Sequence, residues 1–333
     1  MKITNASSRM WSILGSAGTF GLAALELPAV DEDALVVTAD LRNFSGLDRF
    51  GSRFPDRLIN VGIAEQNMVG IAAGLASEGY TVFATTYATF ASARSADPVR
   101  VNMGYMGLGV KLVGMASGFS VGVLGPTHIS LEDMAIMRAI PKMTVVSPAD
   151  CTEVVKATLA VAQLPGPVYL RLGGGVPHPV VNSTDYEFVV GKGIRLRAGD
   201  DVAIIATGSV VHEALRAADI LSAEGLAVSV INMHTVKPLD QELLTEVFET
   251  AGAIVTVEEH SVIGGLGSAV AEFKTARRQA PPQLILGVAD HYPHAGDYSF
   301  LLAQAGLTGE AIAQSTADFL EGLPTPVDQL SLT

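Results

Sequence analysis

Short apolar runs rich in β-branched residues alternate along this chain with longer stretches in which small apolar residues recur at helical spacing. In the first half, the strand-length runs are ALVVTAD (34–40), TVFATTY (81–87), VKLVGMA (110–116), MTVVSPAD (143–150) and PVYLRL (167–172). The stretches typical of helices are QNMVGIAAGLASEG (66–79) and LEDMAIMRAIP (131–141). This alternation predicts an α/β fold with a mostly parallel sheet flanked by helices.

The same alternation returns in the second half after an interruption. Residues 173–200 are rich in Gly, Pro and polar side chains and are typical of a linker. Strand-like runs then begin at DVAIIATGS, LAVSVINM, GAIVTVEEH and QLILGVAD, with helical stretches between them. We therefore predict two α/β domains, at 1–178 and 190–325, with the linker at 179–199.

Composition and charge argue against nucleic-acid-binding and membrane proteins. The 333 residues carry a formal net charge of -13, which disfavours binding of nucleic acid or an anionic membrane surface. The one cysteine, Cys151, cannot form an internal disulfide, and the N-terminal segment lacks an apolar signal stretch, so we expect a cytoplasmic protein. The apolar runs are too short to span a membrane.

Glu65 is the most informative single residue. It lies between an apolar run and a Gly/Ala-rich helical stretch, in the sequence RFPDRLINVGIAEQNMVGIAAG. Burial at such a position raises a carboxyl pKa, which suits proton exchange near neutrality. Spacing alone equally allows a first-turn acid that caps the helix.

The segments around Glu65 resemble those of transketolases and deoxyxylulose-phosphate synthases. RFPDR with GIAEQNM is similar to the thiamine-diphosphate signature of that family. Collinear similarities occur at ASSR (6–9), TADL (38–41), YATFASAR (87–94), GPTH (125–128), VVSPAD (145–150), GPVYLR (166–171) and TVEEHSVIGGLGSAVAE (256–272). The resemblance implies a pyrimidine-binding domain followed by a transketolase C-terminal domain.

The resemblance also implies a coenzyme, thiamine diphosphate, and residues that bind its aminopyrimidine ring. Glu65 matches the family glutamate that hydrogen-bonds the ring nitrogen N1′ and thereby activates the coenzyme. Tyr87 and Phe90 match aromatic residues packed against the ring, with Phe90 stacking on it. Asp40 and Leu41 match positions that line the same side of the site.

Further residues match positions that contact the substrate in the family. His128, in GPTH, matches a histidine that hydrogen-bonds substrate oxygens and serves as a second catalytic group. Arg9, in ASSR, matches an arginine that contacts the sugar phosphate. Asn43 and Ser45 both lie where the family has a hydroxyl contact to that phosphate, and the sequence does not choose between them.

One family motif is missing from this sequence. Transketolases bind the coenzyme diphosphate through Mg²⁺ with a GDG motif and a downstream asparagine, and this chain has neither in the expected context. The resemblance therefore implies a separate N-terminal subunit that holds the diphosphate and Mg²⁺ (or Ca²⁺), with an α₂β₂ heterotetramer as the expected assembly. We predict no metal ligand in this chain.

Three departures from the family pattern concern the substrate. Leu124 replaces an acid that recognises a sugar hydroxyl, Ala116 stands where a phosphate-contacting histidine is expected, and Gly174 stands near an expected arginine. The sequence therefore predicts two-carbon ketol transfer from a ketose to an aldehyde-type acceptor, with an atypical or carrier-bound substrate among the sugar substrates.

Other functions remain open from the sequence. A deoxyxylulose-phosphate synthase-like condensation and a 2-oxoacid dehydrogenase E1 β subunit would use the same fold. A non-catalytic assembly or regulatory subunit and a nucleotide-binding module belong to other classes. Retention of Glu65, Tyr87, Phe90 and His128 together favours catalysis.

Overall fold

Two sheets with helices on both sides make up residues 1–323, the part of the chain that the computed structural model describes. Residues 324–325, the end of the predicted second domain, lie outside this part. No helix within residues 1–323 is both long enough and apolar enough to cross a membrane.

The strands are numbered along the chain. They are β1 (Ala34–Thr38), β2 (Leu58–Asn60), β3 (Thr81–Tyr87), β4 (Lys111–Ser117), β5 (Thr144–Val146), β6 (Val168–Gly173), β7 (Ile194–Arg197), β8 (Val202–Thr207), β9 (Val228–Asn232), β10 (Thr235–Lys237), β11 (Ala253–Ser261) and β12 (Gln283–Val288). The first sheet has the order β10-β5-β6-β4-β3-β1-β2, and the second β12-β11-β8-β9-β7. Both are parallel except for the edge strands β10 and β7, which pair antiparallel. The predicted fold class is confirmed.

The helices cover both faces of these sheets. They are α1 (Asn5–Ala24), α2 (Leu27–Val30), α3 (Asp48–Arg53), α4 (Glu65–Ser77), α5 (Ala96–Pro98), α6 (Asp133–Ala139), α7 (Cys151–Ala162), α8 (Val211–Ala223), α9 (Gln241–Thr250), α10 (Leu266–Thr275), α11 (Tyr298–Gln304) and α12 (Gly309–Glu321). Thr4 begins α1 with a capping box shared with Ser7. Gly15 then kinks this helix, because its φ of 71° is outside the helical region.

A shared core joins the two sheets, and Arg171 of β6 donates a hydrogen bond to the Glu259 carbonyl of β11 at 2.9 Å. One continuous apolar cluster contains residues from both, such as Met68 and Met137 on the first side and Met233 and Ile254 on the second. Beside it, the fully buried Asp133 accepts hydrogen bonds from Arg171 at 2.8 Å and from Tyr169 at 2.7 Å. Burial, the largest single influence, raises the pKa of Asp133, but the charge of Arg171 and the hydrogen bonds from Arg171 and Tyr169 act together with His260 to lower the net pKa. Asp133 is thus held as an anion.

The predicted linker is irregular but packed. The His178 amide donates to the Ser12 carbonyl at 2.9 Å, and the Asp150 carboxylate accepts from the Val181 and Asn182 amides. Only β7 interrupts the irregular backbone between β6 and β8. The boundaries at 178 and 190 stay a prediction.

Candidate functional site

The residues predicted to bind coenzyme and substrate gather where the strands of the first sheet end. Asp40 follows β1, Tyr87 ends β3, and His128 lies in the loop after β4. In parallel α/β sheets, ligands bind at the carboxyl ends of the strands, because the loops there converge on a crevice. The topology therefore places the candidate site at this edge.

Glu65 is a buried carboxylate that pairs with an arginine. It is the first residue of α4 and only 4% exposed. Its Oε1 accepts a hydrogen bond from Arg94 Nη1 at 2.7 Å. The residue before it, Ala64, makes no side-chain cap, and Glu65 turns toward Arg94 rather than capping α4. This geometry favours the functional interpretation of Glu65 over the capping interpretation.

Arg94 also lies flat against Phe90, a contact that the sequence did not suggest. The guanidinium carbon is 3.8 Å from the centre of the Phe90 ring. A turn of π-helix at Phe90–Arg94 puts the two side chains together, and such turns are frequent at functional sites. A flat group that donates to Glu65 and stacks on Phe90 thus already fits this space. An aminopyrimidine ring is also flat, and its nitrogen N1′ can share a proton with a carboxyl group.

Four aromatic rings extend from this point. Tyr87 and Phe90 are 5.9 Å apart edge to face, and His128 is 5.5 Å from Tyr87 and 5.3 Å from Phe90. Phe44, which the sequence did not single out, lies 4.8 Å from Tyr87 on the other side. His128 Nδ1 is 2.9 Å from the Thr127 hydroxyl, which fixes the ring orientation. The structure therefore brings Glu65, Tyr87, Phe90 and His128 together.

Asp40 and Leu41 lie at the end of β1, beside this group. Asp40 has a positive φ of 58° and exchanges two hydrogen bonds of 3.0 Å with Asn60, through its amide and its carboxylate. The Leu41 amide donates to the Thr38 hydroxyl at 3.2 Å. Asn60 was not predicted, and it holds Asp40 in an otherwise strained conformation.

The three predicted phosphate contacts differ in exposure. Arg9 is exposed on α1, and Asn43 is exposed after β1. Ser45 is fully buried, and its hydroxyl is 2.9 Å from the Thr85 hydroxyl. Of the two alternatives left open by the sequence, the exposed Asn43 is the one that can reach a ligand.

The second-half segment EEHS is structural. Glu258 accepts from the Leu266 and Gly267 amides at 2.7 and 2.8 Å and so caps α10. His260 is fully buried, and burial lowers its pKa to about 4. Within the described residues, no three His, Cys, Asp or Glu side chains are grouped to hold a metal ion.

Comparison with known proteins settles the family. Residues 16–174 match the family model of the transketolase pyrimidine-binding domain, and residues 191–312 match that of the transketolase C-terminal domain. The chain belongs to the transketolase family. Its pyrimidine-binding part contains the whole cluster from Asp40 to His128.

Its relatives include components of split enzymes. The chain is 40% identical over 296 residues to a putative transketolase C-terminal section of Methanocaldococcus jannaschii, covering 89% of this chain and 93% of that one. It is 41% identical over 299 residues to the 6-deoxy-6-sulfo-D-fructose transketolase subunit SqwH of Clostridium sp. MSTE9, covering 89% and 92%. It is 38% identical over 297 residues to one of the apulose-4-phosphate transketolase subunits of Phocaeicola vulgatus, covering 89% and 95%.

Solved structures agree. A split-gene transketolase, described as an inactive β4 tetramer, superposes with a TM-score of 0.83 at 39% identity, covering 92% of this chain and 98% of that one. The transketolase of Campylobacter jejuni superposes with a TM-score of 0.75, and its 20% identity supports the fold alone. The present chain spans 46% of that protein. The chain therefore corresponds to the C-terminal subunit of a split transketolase.

Proposed function

We propose that this chain is the subunit that activates thiamine diphosphate in a two-subunit enzyme for two-carbon ketol transfer. The observation that carries the proposal is the buried Glu65 beside the Phe90 ring, with the flat Arg94 guanidinium between them. That space suits a flat ring whose nitrogen shares a proton with the Glu65 carboxyl group.

Each residue then has a defined task. When bound, thiamine diphosphate supplies the carbanion chemistry that breaks and forms a bond next to a carbonyl carbon. Glu65 would hold the hydrogen bond at the pyrimidine nitrogen N1′, and Phe90 would stack on that ring with Tyr87 at its edge. His128 would bind and orient substrate oxygens, while Asp40 and Leu41 would line the same pocket.

The diphosphate end requires another subunit. Apolar side chains are exposed next to site residues: Ile63 is 76% exposed just before Glu65, and Val123 and Leu124 are 70% and 50% exposed in the loop before His128. Exposed apolar groups at a site indicate a surface that a partner covers. The partner is an N-terminal transketolase subunit with the GDG motif, which holds Mg²⁺ (or Ca²⁺), in an α₂β₂ heterotetramer. The inactivity named for the related β4 tetramer supports this dependence.

The substrates are sugars or related aldehydes outside the common sugar phosphates. Two relatives are named for 6-deoxy-6-sulfo-D-fructose and apulose-4-phosphate, so split subunits of this family serve unusual sugars. A deoxyxylulose-phosphate synthase is also 38% identical over 309 residues, and this chain spans 48% of it. Incubation with pyruvate in place of the ketose donor distinguishes that condensation from ketol transfer.

Replacement of Glu65 with Gln tests the catalytic assignment. We expect Glu65→Gln, assayed with the partner subunit, to lower kcat by about a thousandfold or more, because the amide cannot exchange a proton with N1′. Glu78→Gln is the matched control, since Glu78 is an exposed acid at the other end of α4. Full activity of Glu65→Gln would instead support a non-catalytic, regulatory subunit.

A further inference from the structure

A cavity of about 210 Å³ adjoins the aromatic rings at the same edge of the first sheet. It lies between the kink of α1, the ends of β4 and β6, and the start of the segment that follows β6. Its lining is mostly apolar, with Leu14, Phe44, Met115, Ala116 and Val176, and includes the two hydroxyl side chains Ser16 and Ser120. None of the residues that line it carries a charged side chain.

Phe44 connects this cavity to the site already described. One side of Phe44 lines the cavity, and its ring is 4.8 Å from Tyr87, which contacts Phe90 and His128. Glu65 follows beyond Phe90 through Arg94. The cavity therefore borders the rings around His128 through Phe44 and Tyr87.

The structure also explains why no charged side chain binds the far end of a substrate in this cavity. Gly174 has a φ of +96°, and a Cβ there would lie 2.7 Å from the His178 ring. An arginine at position 174 would thus be strained and would collide with a buried imidazole. Ala116 is 8% exposed and offers no donor from its side chain. Arg9 does not line the cavity.

We propose that this cavity binds the far end of an unphosphorylated aldehyde acceptor that carries an apolar or deoxygenated terminus. A cavity of about 150 Å³ lined by apolar side chains accommodates a benzene ring, so the larger volume here fits a short alkyl chain or a single ring. An anionic terminus would lose part of its hydration there and would meet no cationic side chain. This proposal rests on the proposed ketol transfer and specifies the substrate of the same site.

Hydroxypyruvate is a simple donor for this reaction. Hydroxypyruvate loses the bond between its carboxylate and carbonyl carbons, and CO₂ leaves. The two-carbon unit forms a bond to the aldehyde carbon, whose oxygen takes up a proton. The product is a dihydroxy ketone that carries the acceptor's own terminus.

The test compares acceptors on the enzyme reconstituted with its partner subunit and hydroxypyruvate as donor. We expect kcat/KM for butanal and for erythrose to exceed that for erythrose 4-phosphate by roughly tenfold or more. A preference for erythrose 4-phosphate would overturn the proposed cavity specificity. CO₂ release without any acceptor reports on the proposed function separately, and its absence would count against that function instead.

A variant with a charged side chain in the cavity provides a second test of the proposal. Leu14→Lys should lower kcat/KM for butanal by about tenfold and raise that for erythrose 4-phosphate. Ile13→Lys is the control, because Ile13 is exposed beside it on α1 and does not line the cavity. Saturation-transfer NMR with n-butanol, a non-reacting probe, should show binding to the native chain and to Ile13→Lys but not to Leu14→Lys. Equal acceptor profiles and equal butanol binding in both variants would refute the proposal.

Discussion

At the scale of single residues, Arg94 has the most revealing position. It neutralises a buried carboxylate through a 2.7 Å contact while its side chain remains 45% exposed. Because Arg94 is half exposed, its side chain can turn outward into water when another group takes its place at the buried Glu65 carboxylate. A ring that stacks on Phe90, as proposed for the coenzyme, would take the place of the Arg94 guanidinium.

Removal of this competitor should strengthen coenzyme binding. We expect Arg94→Met to lower the Kd of thiamine diphosphate by about fivefold in the reconstituted enzyme, which corresponds to about 1 kcal/mol. Titration of the bound coenzyme by fluorescence quenching measures the change. Arg100→Met is the control, because Arg100 is exposed in the following helical segment, Val99–Tyr105. A higher Kd for Arg94→Met would show that Arg94 itself binds the coenzyme.

At the scale of elements, long periodic runs were predictable and short or non-local ones were not. The run TVFATTY coincides with β3, and the Gly/Ala-rich stretch after Glu65 is α4. β10 escaped prediction because its three residues gain stability by pairing with β5, which lies about ninety residues earlier in the chain. The capped helix α1 escaped because its many small residues give a weak apolar pattern.

Some residues of the candidate site were predictable from the sequence and others were not. The family resemblance identified Glu65, Tyr87, Phe90 and His128, and the structure brings these four together. Arg94 and Phe44 were missed because their importance comes from spatial contacts rather than from a motif. Ser45 could not be distinguished from Asn43, since only folding reveals which of the two is buried.

The connection between β9 and β10 gives an element-scale prediction about pH. His234 lies there fully buried, stacks on Phe188 at 4.2 Å, and has no partner at Nε2. Burial lowers its pKa from 6.5 to about 4. Between pH 6.5 and 4, the unfolded chain therefore binds a proton at His234 that the folded chain does not bind. The free energy of unfolding has its full value above pH 6.5 and decreases as the pH falls toward 4.

Replacement of His234 with Phe isolates this effect. His234→Phe keeps a ring on Phe188 but does not titrate. When the pH is lowered from 7 to 5, the free energy of unfolding of the native chain should fall by about 2 kcal/mol relative to that of the variant. Urea unfolding at both values measures it. A difference that stays constant between the two pH values would contradict the assignment to His234.

At the scale of the whole molecule, the proposed function gives this chain one half of a coenzyme site. Glu65 and Phe90 suit the pyrimidine end, whereas residues 1–323 offer no grouped acids for the metal of the diphosphate end. Binding energy for the complete coenzyme then exists only in the assembled enzyme. A ligand that binds only the folded assembly stabilises it by about 2.7 kcal/mol at a hundred times its Kd.

Thermal unfolding can therefore distinguish a half site from a complete one. Thiamine diphosphate with Mg²⁺ should raise the melting temperature of the mixture with the GDG-carrying subunit by several degrees and leave that of this chain alone unchanged. Thiamine without its diphosphate should stabilise neither, because the metal-held end would contribute nothing. Equal stabilisation of the isolated chain would mean that its own residues bind the diphosphate. The partner would then be needed for the reaction but not for coenzyme binding, and the exposed apolar side chains beside Glu65 and His128 would require a different explanation.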